Sequence, residues 1–188
     1  MARVSQKHPS YRTKEIIARD VAFVLNAPLS YGTQQAVLNN AAWTWTEFDG
    51  KVEGCRYWSV EASGRKLVSL HKQVSALKAK VASGDSVDLR ALKRINCIHE
   101  HAVPRKVFCQ IIRQIITPSA ENVFEVCERL LQAAIVTDEE DKRLCESTLR
   151  QMMPTEFFDQ ASQSYMNPWL RYSHCGITLV PKPPNWPT

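Results

Sequence analysis

The stretch Cys97-Ile98-His99-Glu100-His101 puts one thiol and two imidazoles at alternate positions. In extended backbone, successive side chains point to opposite faces, so Cys97, His99 and His101 would share one face and Glu100 would take the other. Thiolate and imidazole are ligands for zinc and other transition metals, so that face could hold a metal through Cys97, His99 and His101. A closed zinc site needs a fourth ligand, and the chain has no Cys-x-x-Cys pair. The plainer alternative is two polar histidines in a basic, partly exposed segment.

The same residues could work on phosphate. A neutral imidazole near pH 7 can take a proton from water, and a divalent ion (Mg, Mn, Ni or Zn) can offset charge building on a phosphate. Arg90, Lys93, Arg94, Arg105 and Lys106 lie close by in sequence and could hold a nucleic-acid backbone. The N-terminus of a helix expected to start at Pro104 would add positive potential there. Charge is unevenly spread: residues 60–113 carry 11 basic and 4 acidic side chains, and residues 114–188 carry 6 and 10, within a net charge of +5. Such an asymmetry fits a phosphate-binding face, and equally fits two surfaces that attract each other.

Glu100-His101-Ala102-Val103-Pro104 resembles the first element of HNH, or ββα-metal, nucleases, and Asn122-Val123-Phe124-Glu125-Val126-Cys127 is similar to that family's Asn-aliphatic-x-x-aliphatic-Cys segment. The resemblance implies a metal-dependent endonuclease with His101 as general base, Glu100 as a metal ligand and Asn122 orienting the histidine. Two features depart from the pattern. Leu130 and Leu131 stand where the family continues with a second cysteine and a metal-binding histidine, and residues 104–122 read as an amphipathic helix in place of a glycine-containing loop and second strand. A rival reading is a non-catalytic helical module of inhibitor or immunity type that occupies a protein partner. A small-molecule enzyme fits less well, since no Ser, Cys or Lys has a recognisable activating motif.

The elements that must position these residues read as mainly α: one helical domain over 1–180 with a few short strands, and an extended Pro-rich tail over 181–188. Thr13 is placed to cap a helix carrying Ile16, Ile17, Val21, Val24 and Leu25, which Asn26 and Pro28 end. A short helix follows over 33–42. Trp43 and Trp45 alternate with threonines ahead of Asp49-Gly50 and Tyr57-Trp58, which reads as a hairpin over 43–58. Its aromatics could stack on bases or form a wall of the core. Leucines and valines at heptad-like spacing predict a helix over 65–82, and a shorter one is expected over 87–94. Val107 to Ile116 form an apolar stripe after Pro104. Thr117 is expected to cap the next helix, with Val123, Phe124, Cys127, Leu130, Leu131 and Ala134 inward. Thr137 and Glu140 form a capping box, which accounts for the acidic run Asp138, Glu139 and Asp141 through the helix dipole. A short strand is expected over 176–180. The chain is ordinary in composition, at 44% hydrophobic and 23% charged. The polar start predicts no signal peptide, the short apolar runs predict no membrane span, and the six cysteines read mostly as buried thiols of a cytoplasmic protein.

Overall fold

The computed structural model describes residues 13–52, 54–65, 79 and 97–182. Arg90, Lys93 and Arg94, most of the helix expected over 65–82, and the helix expected over 87–94 lie outside the described residues.

The first helix, α1 (Lys14–Asn26), starts as expected: Thr13 is extended and its hydroxyl accepts from the Ile16 amide. α2 (Tyr31–Thr46) is longer than the sequence implies, and Trp43 and Trp45 belong to it. The expected hairpin over 43–58 is therefore absent. Thr44 and Thr46 donate to the carbonyls of Asn40 and Ala42 one turn back, which settles their hydroxyls inside a helix. The Trp45 ring lies 5.3 Å from Phe124, edge to face, so tertiary packing overrides the strand preference of alternating Thr and Trp. Asp49-Gly50 does turn the chain, with Gly50 at φ 114°. Gly54 closes this turn so tightly that a Cβ there would meet the Asp49 carbonyl oxygen at 2.0 Å.

β1 (Tyr57–Ser59) leads directly into α3, described over 60–65, with Ser59 accepting from the Ala62 amide as its cap. β2 (Cys97–His101) is followed by α4 (Arg105–Ile112), α5 (Ala120–Leu130) and β3 (Ala133–Thr137). The cap of α5 is Ser119, not Thr117: Ser119 and Asn122 exchange side-chain and backbone bonds in a capping box. Ala134 is not on that helix. It belongs to β3, whose five residues are all buried, as fits a strand with a neighbour on each edge. α6 (Asp138–Glu146) begins at the predicted Thr137–Glu140 capping box. A 3-10 turn (Thr155–Phe157), α7 (Leu170–His174) and β4 (Leu179–Pro181) complete the chain. The last strand lies later than expected because Gly176, at φ 65°, turns the chain after α7. Pro181 is thus part of the sheet, opposite Tyr57, rather than the start of a tail.

The strands form one mixed sheet in the order β2-β3-β1-β4, with β1 and β3 parallel and the outer pairs antiparallel. The chain is mostly helical, as expected, but its few short strands assemble into a mixed sheet, so the class is mixed α/β and not purely α. One core joins the four helices α1, α2, α4 and α5 through Ile17, Leu38, Trp45, Phe108, Val123 and Leu130. Two smaller cores flank the sheet, around Trp58 and Ile135 and around Val136, Leu144 and Tyr172. Among the described residues no helix is long and apolar enough to cross a membrane.

Candidate functional site

β2 is extended and pairs along its whole length with β3, from Cys97 opposite Thr137 to His101 opposite Ala133. Cys97, His99 and His101 consequently share a face, and all three line one cleft. His99 and His101 are buried, with ring centroids 5.9 Å apart. His101 Nε2 lies 3.1 Å from the Thr46 hydroxyl at the end of α2, and its ring is 5.5 Å from Trp43. Among the described residues neither ring nitrogen of His99 has a partner at good hydrogen-bond geometry, although the Thr46 backbone lies near enough to favour its charged form.

Burial is the main influence on both imidazoles, and it disfavours the charged form. It pushes His101 down to about 3, assisted by His99, Arg105, Arg171 and Lys51. His99 is lowered for the same reason, with Glu47 acting against the shift. Both rings are neutral at pH 7. Burial likewise pushes the Cys55 thiol up to about 11 and raises Cys109, so these are inert buried thiols.

The other residues singled out by sequence are differently placed. Glu100 Oε1 meets Arg171 Nη2 at 2.5 Å. Asn122 accepts from the Ser119 amide and donates to the Thr117 carbonyl, both at 2.9 Å, while the partner of His101 is Thr46. Leu130 and Leu131 are core residues. Among the described residues no group of three or more His, Cys, Asp or Glu side chains is placed to hold a metal ion. The acidic first turn of α6 is engaged structurally: Arg65 reaches Asp138 at 3.1 Å and Glu139 at 2.6 Å.

The cleft itself is about 810 Å³. Its floor is β2, one wall is α2 through Gln35, Asn39 and Trp43, and the other is the start of α4 with Pro104, Arg105 and Lys106. Lys51, Arg150 and Gln151 stand at its margin. Among the described residues four lysines and arginines border it, against one lining carboxylate, Glu100, which pairs with Arg171; Lys51 in turn pairs with Glu47 at 3.3 Å. α4 starts at Pro104 with no side-chain cap, so its first amides add to the positive potential. Lys51 Nζ and the Arg105 guanidinium lie 4.9 and 5.1 Å from the Trp43 ring centroid.

Arg105 and Lys106, which the sequence sets close to the histidines, do line the cleft beside them. Lys51 and Arg150 were not foreseen there, since they come from distant turns. Arg171 was also missed; its only trace was a single cation inside the apolar run Trp169-Leu170-Arg171-Tyr172. No protein-family model matches this chain, and neither does any curated protein or solved structure.

Proposed function

We propose that this chain binds nucleic acid through the cleft between α2, β2 and α4. The observation that carries the reading is the convergence of Lys51, Arg105, Lys106 and Arg150 on one concave surface, where, among the described residues, the one lining carboxylate, Glu100, is already paired with Arg171 and only Lys51 of the four cations has an acidic partner, Glu47. Exposed cations around a concavity attract a polyanion and release its counterions on contact. Neutral His99 and His101 offer a floor without negative charge. The test is equilibrium binding of labelled oligonucleotides at several salt concentrations. Affinity that falls steeply with salt supports the reading, and no binding at low salt removes it.

A second reading extends the first to cleavage, with His101 as base, as the HNH resemblance implies, and a divalent ion on the face that Cys97 and His99 share. The ring nitrogens of His99, without a well-formed hydrogen bond among the described residues, favour it. Against it, Glu100 is held by Arg171, Asn122 is committed to a helix cap, and an imidazole lowered to about 3 is a weak base. Incubating plasmid and single-stranded DNA with the protein in magnesium, manganese, nickel or zinc decides between them. Cleavage lost in His101→Ala with binding retained would establish catalysis; no cleavage in any metal leaves binding alone.

A further inference from the structure

The two walls of the cleft differ in chemistry. Gln35, Asn39 and Trp43 are spaced by four residues along α2, so they form a single stripe down the helix face that lines the cleft. That stripe is uncharged: two carboxamides and an indole. The cations of the same cleft come from other elements: Arg105, which lies against Trp43, and Lys106 from α4, with Lys51 and Arg150 from turns.

From this division we infer that the cleft takes single-stranded nucleic acid, with bases on the α2 stripe and phosphates on the cations. The inference rests on the reading of the cleft as a nucleic-acid site. Carboxamides present a donor and an acceptor side by side, the pattern that pairs with the edge of an unpaired base. An indole at 37% exposure offers a stacking surface to any base that displaces the cations resting on it. Asn39 is held in position by the Cys109 thiol, whose sulfur lies 3.6 Å from its Oδ1. Arg105 and Lys51 rest against the Trp43 ring while themselves exposed; Arg105 can swing from the indole to a phosphate beside a stacked base, and Lys51 can do so on leaving Glu47, its ion-pair partner at 3.3 Å.

Size points the same way. A volume of about 810 Å³ is that of a cleft enclosing a small ligand, room for a nucleotide or two. A duplex keeps its bases stacked and paired inside, so at a cleft of this size it would present mainly its phosphates and leave the α2 stripe unused.

The experiment compares one labelled oligonucleotide, single-stranded and annealed to its complement, with the full chain and with Trp43→Leu, Trp43→Phe and Asn39→Leu. The single strand should bind at least about ten-fold more tightly than the duplex. Trp43→Leu should lose most of that advantage while keeping the salt slope, and Trp43→Phe should restore it. Asn39→Leu should narrow the spread of affinities among homopolymers of A, C, T and U without changing the salt slope. Circular dichroism melting of each variant separates these effects from loss of fold, and the Trp43→Phe result stands even if Trp43→Leu unfolds. Equal binding of both forms, or tighter duplex binding, overturns this inference and leaves nucleic-acid binding intact. No binding of either form overturns both.

Discussion

Arg171, which has no exposed surface, grips Glu100 with its Nη2 at 2.5 Å across the turn that ends β2. The same guanidinium donates to the carbonyls of His101, Ala102 and Leu149, the last at 2.8 Å. One buried cation thus ties α7 to the strand that carries the histidines and to the segment that carries Arg150.

Arg171→Met should cost about 3–5 kcal/mol of stability, because it strands a carboxylate and several buried carbonyls together. Arg171→Lys should recover little, since an ammonium lacks the planar fork that reaches all these acceptors. Urea unfolding of the three proteins is the measurement. A loss below about 1 kcal/mol in Arg171→Met would mean the carbonyls find water instead.

The Thr137–Glu140 cap is a second buried junction. Glu140 accepts from the Thr137 amide at 2.8 Å and from the Ser59 hydroxyl at 2.5 Å, so it joins the start of α6 to the start of α3. Thr137→Ala removes one cap bond and should cost about 1 kcal/mol. Glu140→Ala should cost more, about 2–3 kcal/mol, because two buried donors lose their acceptor at once. Thermal melts should rank the variants in that order, with nucleic-acid binding unchanged in Thr137→Ala.

Acid should unfold the protein through His101. Its folded-state value, about 3, lies below its ordinary 6.5, so the unfolded chain takes up the proton first. The stabilising contribution is complete above about pH 6.5 and is lost progressively as pH falls towards 3, on the order of a few kcal/mol. His99, lowered in the same direction, adds to the loss. Stability measured from pH 7 to 4 should fall less steeply in His101→Gln. Parallel profiles for the two proteins would show that His101 accepts its proton in the folded state.

Charge reversal should map the cleft. Arg105→Glu together with Lys106→Glu should weaken oligonucleotide binding at least about ten-fold and lower the salt slope by about 1.4, at about 0.7 per phosphate contact on a single strand. Arg19→Glu with Lys142→Glu changes the net charge equally but leaves the cleft alone, and should have a much smaller effect. Equal losses from both pairs would mean that overall charge, and not the cleft, governs binding.

Local signals in the sequence were reliable at most helix starts, the exception being α5, where Ser119 and not Thr117 supplies the cap. Thr13, Pro104 and the Thr137–Glu140 pair mark helix starts through bonds made within three or four residues, and each start is found. The alternation Cys97, His99, His101 foretold a shared face because the pleat of a strand guarantees it. Signals that depend on distant partners failed. Thr44 and Trp45 have strand-like preferences, yet contact with Phe124 and the depth of the helical core keep them in α2. Ala134 looked like one more inward helix residue, because nothing local announces that a strand will have a neighbour on both sides. Glu100 looked available until Arg171 arrived from far along the chain.

Among the described residues the sheet has no tight hairpin: its closest-spaced ladder in sequence joins β2 to β3 across two helices, and β1 waits for β3 and then for β4. Each pairing must close a long loop before it gains any contact, which slows assembly. The helices, whose bonds are local, can form on a far shorter timescale. The floor of the cleft is therefore among the last surfaces to exist during folding, and its two walls can be present before they face each other. Ligand-binding competence should appear with the slowest phase of refolding, after most of the helical circular dichroism signal has returned.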